Sequence, residues 1–339
     1  MPKCGSQITL CDLPIRFDTY KGCSHNCKYC FTYNKYDISN IKKMEGVEAL
    51  KNFIQGKREH TTRWCDWDIP LHWGGMSDPF QRPAEKKYRS SLECLKIFNQ
   101  TKYPFVVSTK STLPAEGEYY ELLKGCNFVF QVSMVSPLFD KLELGAPTFD
   151  ERLEMLEKMS KIAKRVSVRI QPYIPSIHKS IISYLEDYKK AGVYGVIVEG
   201  MKYNKKVPNT VKVGGDFCHY YKTLKKNFLD IKERCHDLGL VFLCAENRLR
   251  HISDSLCCCG VEGLEGFLYN KANLNHYLYD KENYIFSGKM GEAGTAGQFT
   301  SGFAQSTIQS NVIKKMSMKE CMGLCENDKG MIGIFKNRD

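Results

Sequence analysis

A chain of 339 residues, 42% hydrophobic and 26% charged, has the composition of a globular protein and is long enough to bury a substantial core. No apolar run reaches membrane-helix length and the start carries no signal-peptide pattern, so the sixteen cysteines read as thiols and metal ligands in a reducing cytoplasm. The net charge of +11 favours phosphate-bearing partners, but the lysines are scattered pairs such as Lys86 with Lys87 and form no compact basic stripe.

In chain order, the apolar runs Ile8–Leu10 and Leu13–Ile15 lead a first strand into a cysteine-rich loop at 20–31. Ile41, Met44, Val47, Leu50 and Ile54 recur at helical spacing, predicting an amphipathic helix over 41–54. A short strand over 68–73 then runs into Gly74, Gly75, Met76, Ser77 and Asp78. The next helix has Pro83 near its first turn and carries Leu92, Leu95, Ile97 and Phe98. A strand at 104–108 precedes a helix at 114–123 that Gly125 terminates, and 128–133 is a strand of strong β-formers. Thr148 and Glu151 form a capping box, opening a helix with Leu153, Leu156, Met159 and Ile162. A strand at 165–170 is ended by Pro172; a helix at 180–191, a strand at 193–199, a helix at 220–238 and a strand at 241–243 follow.

Six or seven strands alternating with helices predict parallel βαβ construction. Helices then cover both faces of an open sheet or the outside of a closed or partial barrel, and spacing alone permits either. The character changes near residue 244, so the expected division is a βα unit at 1–244 and an irregular extension at 245–339. The extension holds Cys257, Cys258 and Cys259, a Gly/Ser/Thr-rich loop or lid at 287–310, and Cys321 with Cys325.

The most specific motif is Cys23, Cys27 and Cys30, a C-x3-C-x2-C spacing. Three thiolates satisfy three irons of a cubic [4Fe–4S] cluster and leave the fourth open, whereas most clusters take four cysteines. A zinc site would recruit His25 as a fourth ligand, but zinc motifs usually come as two separated pairs. The spacing resembles the radical S-adenosylmethionine (SAM) superfamily, in which the open iron binds the amino and carboxylate groups of SAM. That resemblance implies a partial (β/α)6 barrel with the cysteine loop after the first strand, and Phe31 near the adenine. It also implies Gly75 and its neighbours near the SAM ammonium, although the acidic residue Asp78 comes later than in the usual Gly-Gly-Glu element.

The joint pattern of the cysteine loop, Ser77 with Asp78, Thr109-Lys110-Ser111 and Ser133 resembles the spore photoproduct lyase-like branch of that superfamily, over roughly residues 15 to 200. By that resemblance Ser77 and Lys110 touch the amino-acid end of SAM and Ser133 lies near its ribose or sulfonium. The implied chemistry is reductive cleavage of SAM to a 5′-deoxyadenosyl radical that takes hydrogen from a substrate carbon. Flavodoxin or ferredoxin is the implied electron donor. The implied substrate is a nucleoside or nucleotide, with cleavage of a 7-deazapurine nucleoside such as queuosine as the sharpest version. Nucleic-acid lesion repair, peptide modification with an auxiliary cluster, and a non-catalytic metal protein remain the alternatives.

Other candidates follow from the residues themselves. Arg169 sits in a central strand among β-branched residues, is costly to bury unpaired, and points either to a chamber anion or to a helix acid. Glu199 is a similar strand-end candidate, and Asn247 and His251 are polar loop residues within reach of a substrate. Cys244, Cys257, Cys258, Cys259, Cys321 and Cys325 suggest a second metal, but their spacing matches no paired-ligand pattern and free cysteine packs well as a small buried hydrophobe.

Overall fold

A computed structural model describes residues 2–4, 11–34, 37–44, 46–58, 62, 69–213, 216–271, 273–280 and 282. The lid expected at 287–310, Cys321 and Cys325 lie outside them. The main sheet follows the chain: β1 (Lys3–Cys4), β2 (Ile15–Phe17), β3 (Leu71–Trp73), β4 (Phe105–Thr109), β5 (Phe128–Ser133), β6 (Arg165–Tyr173), β7 (Gly195–Gly200) and β8 (Val241–Cys244) are neighbours in that order. β1 is antiparallel to β2, and the seven strands from β2 to β8 are parallel. This is a partial barrel with helices outside it, the α/β architecture expected from the alternation.

The pleat sorts each strand's side chains. Residues in register share a face, and Ser108 pairs with Gln131, Gln131 with Ser167, Ser133 with Arg169, Arg169 with Ile197, and Ile197 with Leu243. Ile197, Leu243 and Ala245 form a small apolar cluster separate from the main core, so this face is the barrel interior. It is polar at its centre. The opposite face carries Trp73, Phe105, Phe128 and Phe130 into the layer of helices, where Phe105 lies 4.2 Å from Phe98, ring centroid to centroid.

Helix predictions held for the capping box, which opens the helix Phe149–Ser160 with both reciprocal bonds formed. Three boundaries differ from expectation. The helix expected from Ile41 begins at Gly46, because Lys42–Lys43 pairs instead with Tyr20–Lys21 and ties down the cysteine loop. The helix around Pro83 is two helices, Arg82–Tyr88 and Ser90–Thr101, broken where Arg89 takes a left-handed conformation at φ 50°. β6 continues through Pro172 to Tyr173, with a register irregularity after Ile170 that absorbs the missing amide hydrogen. A three-stranded antiparallel sheet at Lys202–Tyr203, Thr210–Val213 and Asp216–His219 was not expected at all.

The described residues beyond β8 pack back on the barrel. Arg165 Nη1 donates to the carbonyls of Gly260 at 2.9 Å and Glu262 at 2.7 Å, and Gln131 Nε2 to that of Cys259 at 3.2 Å. Asp12 is gripped by His276 Nε2 at 2.9 Å and Asn273 Nδ2 at 2.6 Å. Residues 257–276 therefore close the floor of the barrel, at the amino-terminal ends of the strands. Among the described residues no helix is long and apolar enough to cross a membrane.

Candidate active site

The cysteine loop lies at the opposite end, the rim formed where the parallel strands finish. Its path is fixed by backbone contacts on both sides: Cys23 N donates to Ile38 O at 2.8 Å, Lys28 N to Leu142 O at 2.8 Å, and Gly145 N to His25 O at 2.9 Å. Gln81, fully buried, donates from Nε2 to the carbonyls of Gly22 and Asp78 at 3.0 and 3.1 Å, and accepts from Ser24 N at 2.8 Å. Glycine is required where Gly145 passes beneath, since a Cβ there would collide with the Ser24 carbonyl oxygen.

Two ionic fasteners hold this loop to the strand ends. In the first, the buried Asp78 carboxylate accepts from His25 Nε2 at 2.9 Å, Thr109 Oγ1 at 2.9 Å, Phe80 N at 2.9 Å and Lys110 N at 2.7 Å. His25 Nδ1 lies 3.0 Å from the Gly145 carbonyl, which can only accept. Burial alone would push the His25 pKa down, but the Asp78 charge overrides it and the net direction is up. Burial would lift the Asp78 carboxyl, and His25 with the backbone donors carries it below its ordinary value.

The second fastener centres on Glu143, which follows the turn Pro137–Leu142 and forms a bridge with Cys27. Its carboxylate takes Lys110 Nζ at 3.0 Å, the wholly buried Arg152 Nη2 at 2.6 Å, and the Tyr29 hydroxyl. Lys110 Nζ also donates to Ser133 Oγ at 2.7 Å, and Arg152 Nη1 to the Ser133 carbonyl at 2.8 Å. Opposed by burial, these two cations still carry the Glu143 carboxyl below its ordinary value. Nothing in the sequence pattern marked Glu143 or Arg152, because their partners lie on different elements.

The site residues read from sequence are thus placed as follows. Cys27 is buried and Cys23 and Cys30 half-buried, all three as free thiols on one loop. Burial pushes the Cys23 thiol up to about 12 and the Cys27 thiol up to about 11, with the Lys110 charge pulling Cys27 back. Among the described residues no three His, Cys, Asp or Glu side chains converge as one ion requires; a [4Fe–4S] cube instead takes one thiolate at each of several irons. Three soft donors on one tethered loop fit that cube.

Phe31 is 51% exposed at the rim. Ser77 is buried, with Oγ donating to the Tyr20 carbonyl at 2.5 Å and N to Asp18 Oδ1 at 3.3 Å. Ser77 and Asp78 spend these hydrogen bonds inside the protein, as loop fasteners. Gly75 lies against the side chain of Arg16, where an added Cβ would stand 3.3 Å from Arg16 Cδ. Lys110 and Ser133 meet, as above, but around Glu143. Arg169 resolves toward the chamber, donating from Nη2 to Glu199 Oε2 at 3.2 Å and from Nε to Gln171 Oε1 at 2.6 Å. Glu199 also takes Lys202 at 2.7 Å, so two candidates named separately form one interior ion network. Of the loop residues, His251 is exposed beside Tyr279, 5.6 Å between ring centroids, and Asn247 begins the turn of helix Asn247–Ile252.

Comparison with known proteins supplies the frame. Residues 18–176 match the family model of the radical SAM superfamily. Uncharacterised proteins of Mycobacterium tuberculosis and Mycobacterium bovis are each 26% identical over 204 residues, 56% of this chain and 59% of theirs. The chain thus matches rather more than half the length of those curated relatives. Among solved structures, a mutant form of spore photoproduct lyase aligns with a TM-score of 0.53 at 13% identity, covering 68% of this chain and 76% of that one. Spore photoproduct lyase complexed with dinucleoside spore photoproduct aligns with the same score and coverage at 12% identity. At such identity the likeness concerns the fold. The cysteine loop on the rim of this barrel lies within the matched span, residues 18–176, where the chain is similar to the radical SAM superfamily, a family whose cofactors are a [4Fe–4S] cluster and SAM.

Proposed function

We propose that this chain is a radical SAM lyase acting on a nucleoside or nucleotide, and that the bond broken is the glycosidic bond of a 7-deazapurine nucleoside such as queuosine. The observation that carries the reading is a cysteine loop seated over a barrel interior lined with cationic side chains, Arg16, Arg169, Lys202 and Arg250. Cys23, Cys27 and Cys30 would hold the cluster, and with SAM bound that pair supplies one-electron hydrogen-atom abstraction at carbon. The protein's own part is placement. The Asp78–His25 and Glu143–Lys110–Arg152 fasteners keep the loop rigid, so that cofactor and substrate meet in a fixed orientation.

A barrel interior with a few cations suits one or two phosphate groups. A polymer needs many phosphate neutralisations and loses affinity steeply with salt. A one-electron donor such as flavodoxin or ferredoxin is required by the chemistry. The same fold in spore photoproduct lyase, crystallised with a dinucleoside, supports a nucleoside-like substrate. The test is anaerobic reconstitution with iron and sulfide, followed by SAM, reductant and a panel of nucleosides, their monophosphates and oligonucleotides, read by mass spectrometry. We expect 5′-deoxyadenosine and a released base from a modified nucleoside or its monophosphate. Turnover of oligonucleotides alone would replace this reading with lesion repair, and unchanged iron content and SAM cleavage in Cys27→Ala would remove the ligand assignment.

A further inference from the structure

Direct ion pairing inside the barrel sets one cation apart, since Arg169 and Lys202 share the single carboxylate of Glu199. Arg169 is matched by Glu199. Arg250 is buried and hydrogen-bonds the Cys258 thiol, which its charge and that of Arg169 help hold below the ordinary range after the Cys259 hydrogen bond. Lys202 is matched by Glu199. Arg16, half-buried on β2, has no hydrogen bond or ion pair among the described residues. Its stem runs along Gly75, whose missing side chain leaves it room. Its charge is felt by Cys11 and His72, near the floor, whereas the influences on Cys23 and Cys27 are Asp78, Lys110, Glu143 and Arg152.

Its neighbour His72 is in register with Arg16. Donor counting fixes the imidazole. The Cys259 carbonyl can only accept, so the Gln131 atom 3.2 Å from it is the amide nitrogen and the other is oxygen. That oxygen takes the Ser108 hydroxyl hydrogen at 3.0 Å, which leaves Ser108 Oγ to accept from His72 Nε2, also at 3.0 Å. Burial, with the Arg16 and Arg169 charges, lowers the His72 pKa to about 3, so the ring is neutral and Nδ1 carries a lone pair. No hydrogen bond from another described residue reaches it.

We propose that Arg16 and His72 form the subsite that docks the polar end of the substrate: an anionic group, carboxylate or phosphate ester, on the Arg16 guanidinium, with an adjacent O–H or N–H donating to His72 Nδ1. This rests on the reading of the chamber as a small-molecule site and adds which residues hold the anionic group. An unmatched guanidinium suits a forked oxyanion, and a neutral imidazole lone pair beside it suits a donor on the same ligand. A ribose phosphate and a hydroxy acid both carry that pair of groups.

The experiment uses the cluster-loaded protein, the variants Arg16→Gln, Arg16→Lys and His72→Phe, and calorimetric titration with guanosine 5′-monophosphate, guanosine, inorganic phosphate and malate. Thermal unfolding and SAM affinity are measured on every variant. We expect at least one anionic probe to bind about tenfold or more weakly to Arg16→Gln and to recover in Arg16→Lys, while guanosine and SAM affinity stay unchanged. Response to the phosphates alone identifies a phosphate ester, and to malate a carboxylate. Equal anion binding by wild type and Arg16→Gln, no saturable anion binding by wild type, or loss of SAM affinity in Arg16→Gln would overturn the proposal. Formation of 5′-deoxyadenosine by the wild type separates the two readings: its absence removes the proposed function, while its presence without Arg16-dependent binding removes only the subsite.

Discussion

The rim and the interior face of this barrel use the same residue types to opposite ends. At the rim, Asp78 is matched by His25 and Glu143 by Lys110 and Arg152, and the carboxylates accept further bonds from amides and hydroxyls. On the interior face, Arg16 stands without an acid and His72 keeps a lone pair among the described residues. A buried ion with a complete set of partners orders the chain around it, whereas one left incomplete is held ready for something that arrives later.

The largest expected effect comes from breaking the rim. Glu143→Gln leaves the wholly buried Arg152 and the nearly buried Lys110 without their anion, and should cost about 3–5 kcal/mol in urea unfolding. A loss under about 1 kcal/mol would show that rim pairing is not what holds the loop. Asp78→Asn keeps the shape and some hydrogen bonds, so a smaller loss of about 2–3 kcal/mol is expected, with reduced iron uptake on reconstitution. Gly145→Ala pushes against the Ser24 carbonyl and should cost about 1–3 kcal/mol, with poorer iron retention because the strain falls on the cysteine loop. Full iron retention there would place the clash elsewhere.

Interior-face variants should be nearly silent in stability. Arg16→Gln removes a charge without a partner, so the change is expected within about 0.5 kcal/mol or stabilising. A loss of about 2 kcal/mol would mean that Arg16 is a structural ion after all. The floor thiols offer a last distinction by pH. Cys258 is held below the ordinary thiol range, first by the Cys259 hydrogen bond and then by Arg250 and Arg169, so its thiolate form is already present at neutral pH. Burial pushes Cys11 up to about 12. Iodoacetamide should therefore modify Cys258 at a rate nearly flat between about pH 7 and 9, while Cys11 reacts faster as pH rises. Peptide mapping with a Cys258→Ser control reads this, and a Cys258 rate that climbs tenfold per pH unit would refute the thiolate.

The sequence carried the fold because its signals are local. Phe128–Ser133 is a run of β-formers, Thr148 and Glu151 close a capping box three residues apart, and the alternation of such pieces is enough to demand parallel construction. The cysteine loop was legible for the same reason, with three ligands inside eight residues. Where a boundary failed, a distant partner had decided it: Lys42–Lys43 left the helical pattern to pair with Tyr20–Lys21. Single residues were harder. Lys110, Ser133, Ser77 and Asp78 stood out by their positions at strand ends, but a strand end says only that a side chain reaches the rim.

The sequence by itself determined the element order, the parallel sheet and the C-x3-C-x2-C loop of Cys23, Cys27 and Cys30, since each rests on periodicity or spacing within one stretch of chain. Only the tertiary structure decided which ions are satisfied. Glu143 meets Lys110, 33 residues away, and Arg152 on the following helix. Arg16 finds no acid among the described residues although charged residues are abundant along the chain. Ion pairing falls off over a few ångströms in space, while the chain that brings two charges together is tens of residues long. Pairing, and with it the division between a fastening residue and one that waits for a ligand, is therefore written in the packing of the barrel.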